Sequence, residues 1–423
     1  MSLPGSVDVL VIGAGPAGTT SAALLHRAGY RVAVVERETF PRFVIGESLL
    51  PRCMDLLGAC GLLPAVEARG YIVKRGALFL RGGERCDFDF STQFTQGWNW
   101  TWQVPREDFD TTLATAVASM GVPIGWRHEV VSVEMPAEGY DPSSDAPGPV
   151  TVVRGPDGET FEIRSRWVID ASGYGRVLPR LLGLDAPSGQ QLRRAVFTHI
   201  RGDRRPTGPE EGRIWVCIHP DGAWVWIIPF SDGRTSVGVV APEAFWADKP
   251  ADLDTALREA LAGEPNAAAR LTEMQPQWPA RVLRGYSATV SRMHGPGFHM
   301  VGNATEFLDP VFSSGVTLAL ESANRGANVL LRALAGERVD WSDDFDGYMK
   351  RGVDVFRTYV NGWYDGSLQK IFFAPSANPE FKQMICSVLA GYVWDDDNPF
   401  VRSHDRRVAQ VVRMVERAAA APA

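Results

Sequence analysis

Lysine is scarce in this chain, with five positions among 43 basic residues, and Lys74 is the sole lysine before Lys249. Arginine supplies the rest, a bias that genomic base composition can produce, so each remaining lysine is worth following. Cysteine is sparse too. Cys53, Cys60, Cys86, Cys217 and Cys386 are odd in number and scattered, without metal-ligand or redox spacing, which argues against a disulfide framework and reads them as small buried hydrophobes. The seven histidines, including His199, His219 and His299, fall in no ligand spacing, so no metal site is expected. The sequence has no apolar run of about 18 residues, and Met1–Ser6 is too short for a signal peptide. A cytoplasmic protein is expected. A net charge of −7 lacks the basic footprint that nucleic acid requires.

What is present suits a large core. The 423 residues are 45% hydrophobic and 22% charged, ordinary for a globular protein of two or three domains. The first segment is the most informative. An apolar run Val7–Ile12 reads as a buried parallel strand and stops at Gly13, Gly15 and Gly18, which open a helical pattern through Ala28. Gly13 permits the tight turn, Gly15 lets backbone approach a pyrophosphate, and Gly18 lets helix pack on strand. The helix N-terminus would hold the phosphates. A second strand, Arg31–Val35, ends at Glu36, 18 residues past Gly18 and placed to meet ribose hydroxyls. The site is for a dinucleotide.

Further along, Gly46-Glu47-Ser48 reads as a loop feeding a helix beside such a cofactor, although Glu47 alone would equally serve as a helix-cap carboxylate. Alternation on both sides of Gly82-Gly83 predicts a hairpin, with Lys74 at its head. Arg106 stands at a helix entrance and could contact a cofactor phosphate. The polar, turn-rich segment 134–150 predicts a surface loop. The apolar Trp167–Ile169 then ends in Asp170, with Gly173 nearby, which reads as another parallel strand delivering an acid to the cofactor. Alternating segments from Ala195 to Val240 predict an antiparallel sheet, on which Trp224 and Trp226 share a face. A strand through Met300 and Val301 leads to Asn303, then Asp309-Pro310, then Ser313-Ser314-Gly315, which opens a helix. From about Asp340 the tail reads as helical and aromatic, ending in an alanine-rich stretch expected to fray.

The GAGPAG turn with Glu36, the DASG strand end and the GNA…DP…SSG segment, in that order, resemble the FAD-binding motifs of the glutathione-reductase-like flavoprotein monooxygenase superfamily. GESLLP, the Arg106-x-x-Phe109-Asp110 entrance and the W-x-W-x-I-P match at Trp224, Trp226, Ile228 and Pro229 narrow this resemblance to the FAD-dependent halogenases. It covers the chain to about Pro375, and DPVFSSG with the aromatic tail looks more like the phenol, pyrrole or carrier-bound-substrate branch. The implied fold is α/β. A Rossmann-type FAD-binding domain (1–74, 104–190 and 285–335) would interleave with a substrate-side antiparallel sheet (75–103 and 191–284), followed by a helical C-terminal region (336–423).

The resemblance implies FAD contacts at Gly13, Gly15, Ala17, Gly18, Glu36, Arg37, Glu47, Ser48, Arg106, Asp170, Gly173, Asn303, Asp309, Pro310, Gly315 and Val316. It implies that reduced flavin reacts with O₂ to a C4a-hydroperoxide, which chloride or bromide, bound at the Ser314 and Gly315 amides, converts to hypohalous acid. Lys74 would hold that oxidant and pass the halogen to an electron-rich aromatic, free or on a carrier protein, in natural-product biosynthesis. Trp224 and Trp226 would separate flavin from substrate. Two departures stand out: Asn303 replaces the usual aspartate and loses its charge, and Phe312 stands where the tryptophan branch has a carboxylate, leaving a second catalytic acid unidentified. No second GxGxxG turn appears for NAD(P)H, so a separate flavin reductase is the expected source of reduced FAD. Arg201, Arg204 and Arg205 could meet an acidic carrier, or simply form a solvated face. Two other readings fit the same residues, an aromatic hydroxylase and a non-catalytic flavin-binding partner of a carrier domain.

Overall fold

The computed structural model of the chain describes residues 3–285, 288–375 and 378–420. Two sheets organise it. In the first, the strands run His294–Gly295, Phe298–Met300, Trp167–Asp170, Val9–Ile12, Val32–Glu36 and Ile124–Trp126. The five beginning at Phe298 are mutually parallel. Val9–Ile12 and Val32–Glu36 are buried at every position, which is why they read as unbroken apolar runs rather than alternating ones. Parallel neighbours need a crossover, and the helix Pro16–Arg27 supplies it between these two.

The second sheet has eight strands and is antiparallel apart from one pair, Ile214–Ile218 beside Gly76–Arg81. The Gly82-Gly83 hairpin forms as expected, joining Gly76–Arg81 to Glu84–Asp89. Trp224–Pro229 lies in the middle of this sheet, between Thr235–Pro242 and Ile214–Ile218. Lys74 lies just outside it, on a short strand Ile72–Lys74 paired with Thr101–Gln103. The other edge of Thr101–Gln103 is bridged to Ser48, so the Gly46–Leu49 segment and Lys74 flank one strand.

The long helix Ser314–Leu334 packs on both Pro16–Arg27 and Arg52–Cys60, and the helix Tyr348–Tyr364 follows behind it. The helix His404–Ala420 is anchored by Val408 and Val411, buried against the preceding helices, while Ala418, Ala419 and Ala420 are exposed and residues 421–423 of the alanine-rich end lie outside the described residues. No helix among the described residues is long and apolar enough to cross a membrane.

Candidate functional site

A cleft of about 780 Å³ opens between the two sheets. Its floor is the glycine turn. A Cβ on Gly18 would lie 1.9 Å from the Gly13 carbonyl oxygen, and one on Gly13, which has φ +100°, would lie 2.5 Å from that of Ala171, so strand and helix approach closely only with glycine at both positions. Gly15 caps the helix Pro16–Arg27 with backbone alone, and no side chain occupies the first-turn N–H groups. The Arg42 guanidinium stands over Gly15 and reaches Asp110 at 3.5 Å. A buried row of free donors next to an arginine is a cradle for phosphate. Glu36 lines the cleft too. Its two oxygens accept from the Ala14 and Glu38 amides, each at 2.9 Å, which fixes the carboxylate and leaves each oxygen a lone pair.

Ala17, Arg37, Glu47, Ser48, Arg106, Gly173, Asn303, Pro310, Gly315 and Val316 also reach the cleft wall. Asp170, Asp309 and Ser314 do not line it. The buried Asp170 carboxylate accepts from the Ser172 amide at 2.8 Å and the Leu178 amide at 2.6 Å, shaping the turn whose backbone lines the cleft. Asp309 accepts from the Val311 amide at 3.2 Å and from the Tyr364 phenol, whose acidity is suppressed first by burial and then by this carboxylate. Beside Ser314, it is Ser313, in the left-handed region at φ +58°, that meets the cleft. The helix it begins also lacks a side-chain cap. Arg106 is spent locally: it makes a bidentate pair with Asp110 at 2.8 and 3.0 Å and donates to the Ile45 and Gly46 carbonyls, pinning the segment that carries Glu47 and Ser48.

Lys74 sits one hydrogen bond behind the wall. Its Nζ donates to Ser48 Oγ and the Leu49 carbonyl, both at 2.8 Å, and lies 5.5 Å from the Phe90 ring centroid. Only 1% of the residue is exposed, and burial lowers its ammonium from the usual 10.5 to about 7, the Cys53 thiol nearby opposing slightly. On the second sheet, Trp224 and Trp226 face the cleft with ring centroids 5.9 Å apart. Their indole N–H groups donate to the Tyr364 hydroxyl at 2.9 Å and the Ser236 hydroxyl at 3.0 Å. Phe312 belongs to a closed aromatic cluster with Phe79, Tyr359 and Trp363.

Three participants had no local signal in the sequence. Arg42 follows an unremarkable proline. His199 lies on a strand of the other sheet, yet meets Glu47 at 2.6 Å. Tyr364 comes from the C-terminal region. Conversely, the run Arg201, Arg204 and Arg205 is bound to its own chain, through Asp232, Glu273 and Asp203. Among the described residues no three His, Cys, Asp or Glu side chains are grouped to hold a metal ion.

Comparison with known proteins adds to this geometry. Residues 6–360 match a family described as FAD binding domain. A tryptophan 2-halogenase of Chondromyces crocatus is 32% identical over 83% of this chain, which spans 66% of that relative's length. A 1H-pyrrole-2-carbonyl-[peptidyl-carrier protein] chlorinase of Pseudomonas fluorescens is 28% identical over 92% of this chain and 89% of its own. Among solved structures, a flavoprotein/dehydrogenase from Cytophaga hutchinsonii superposes with a TM-score of 0.93 at 47% identity, covering 98% of this chain and 99% of that one.

Proposed function

The chain belongs to the FAD-binding-domain family and, within it, to the flavin-dependent halogenases; we propose that it chlorinates or brominates an electron-rich aromatic, a phenol or a pyrrole, presented on a carrier protein. Lys74 carries this reading. Its buried Nζ is held by Ser48 Oγ and the Leu49 carbonyl one hydrogen bond behind the cleft wall, and burial disfavours its ammonium form, so the group can act both as a nucleophile and as a donor.

The residues present fit FAD, with a donor-rich cradle at Gly13–Gly18, a carboxylate at Glu36 and a second uncapped helix start at Ser313–Gly315. Bound in its reduced form, FAD would supply activation of O₂ and the two-electron oxidation of halide to hypohalous acid. The Ser314 and Gly315 amides would hold the halide in a site screened from water. Trp224 and Trp226 would keep the aromatic substrate off the flavin side. The Lys74 amine would then receive the halogen, its nitrogen bonding X as water leaves, or hold hypohalous acid by hydrogen bond. Transfer of X⁺ to a ring carbon and loss of the ring proton regenerate the amine. With Phe312 in place of a carboxylate, the ring must already be electron-rich. The pyrrole and carrier assignment draws on the relatives named as pyrrole-carrier-protein chlorinase and brominase. Reduced FAD would come from a separate reductase.

The test is mass spectrometry of reactions containing the protein, FAD, a flavin reductase, NADH, O₂ and chloride or bromide, with free and carrier-loaded phenols and pyrroles. A halide-dependent mass shift with its isotope doublet is expected. Gain of one oxygen irrespective of halide would overturn the proposal in favour of hydroxylation.

A further inference from the structure

We propose that His199 is a positioning residue that turns Glu47 into a hydrogen-bond acceptor for the bound flavin. The inference rests on flavin occupying the cleft and is independent of whether a halogen is transferred.

Glu47 and His199 come from different sheets' surroundings and are both fully enclosed, with Glu47 1% and His199 0% exposed. His199 Nε2 and Glu47 Oε1 are 2.6 Å apart. The other carboxylate oxygen, Oε2, is buried without a hydrogen-bond partner among the described residues, although Glu47 lines the cleft. A buried carboxylate oxygen left without a donor is costly unless a ligand supplies one. The chain itself fixes which way the imidazole donates. Arg234 approaches His199 Nδ1 to 3.4 Å, and a guanidinium can only donate, so Nδ1 accepts and the ring proton is on Nε2, toward Glu47. Arg234 is held in turn by Glu107 at 2.8 Å and Asp232 at 2.7 Å. The faces of the ring meet Phe43, Phe230 and Trp278, and among the described residues its nitrogens contact Glu47 and Arg234. From the loop side, the Glu47 carbonyl accepts from the Val104 amide at 2.7 Å, and Arg106 clamps the preceding residues. Backbone and side chain are both anchored, and one oxygen remains to be satisfied. What satisfies it is a donor on the flavin, a ring N–H or a ribityl hydroxyl.

Replacement of Glu47 by Gln reverses the sign at that oxygen. The His199 Nε2–H needs an acceptor, so the amide oxygen turns to it and the NH₂ group is presented to the cleft, donor against donor. The experiment is equilibrium binding of oxidised FAD and of lumiflavin, which lacks the ribityl chain, to the full-length apoprotein, followed by flavin fluorescence. For FAD, Glu47→Gln and His199→Leu are each expected to weaken binding by about tenfold, the double variant no more than either alone, and His199→Gln, which keeps an N–H donor, to stay within about threefold of the parent. A merely structural role for His199 predicts losses that multiply. A loss shared by lumiflavin assigns the donor to the ring, and a loss confined to FAD assigns it to the ribityl chain. Unchanged FAD affinity in Glu47→Gln, or multiplying losses in the double variant, would overturn the proposal. Should His199→Leu fail to fold, His199→Phe, which keeps an aromatic ring and removes the N–H, takes its place in the same cycle with Glu47→Gln. Failure of the halogenase reading would leave these affinities untouched.

Discussion

The two sides of the Gly46–Leu49 segment are built by opposite means. On the cleft side the chain offers backbone: the glycine turn, two helix starts without side-chain caps, and a wall shaped by Asp170 from behind. On the Lys74 side it offers side chains packed shut, with Phe90 beside the amine and Phe79, Phe312, Trp363 and Phe372 closed on one another. The first arrangement suits a ligand that is always the same and carries phosphate. The second suits chemistry that must be kept from water, at the cost of burying an amine.

The sharpest way to break the cleft side is Gly18→Val. The Cβ would collide with the Gly13 carbonyl, and loss of flavin binding by at least about a hundredfold is expected, read from flavin absorbance after gel filtration. Lys74→Met should separate the two sides. FAD affinity is expected to stay within about twofold while halogenated product falls by at least about a hundredfold, the usual scale for removing a group that acts on the reacting atoms. The same variant tests the burial of the amine. Because the folded-state value of about 7 lies below the ordinary 10.5, the unfolded chain binds more protons between those values. The cost of Lys74 is therefore full below pH 7 and relieved as the pH rises. In denaturant titrations the stability advantage of Lys74→Met should shrink by about 2 kcal/mol between pH 7 and 9. The smallest effect is expected from Tyr364→Phe, which strands the Trp224 indole N–H. Stability should fall by about 1–2 kcal/mol with FAD affinity unchanged.

The same contrast explains what could be read before the structure. The cleft floor is local: Gly13, Gly15, Gly18 and Glu36 act within one βαβ unit, so their spacing alone predicts a dinucleotide site. Lys74 is different. Beyond the scarcity of lysine, nothing near it in sequence distinguishes it from a solvated hairpin lysine, and the resemblance to a family is what gives it a role; its hydrogen-bond partners, Ser48 and Leu49, lie 26 and 25 residues away. Arg42, His199 and Tyr364 carry no local sign of their roles for the same reason. Their partners, Gly15, Glu47 and Trp224, lie in other elements, and a lone histidine in a strand pattern gives no hint of a carboxylate 152 residues distant. Asp170 was legible as a strand-end acid, but its partners were not, because the turn that consumes its oxygens is fixed by three-dimensional closure.

The two uncapped helix starts have a consequence for traffic into the site. A chain of net charge −7 repels anions at long range, yet the dinucleotide and the halide it is proposed to take are both anionic. Attraction would come from close range, from the free N–H groups of the helix starts and from Arg42 beside Gly15. Salt would therefore act in opposite directions at different distances, easing the approach of an anion across the acidic exterior while weakening its grip once inside.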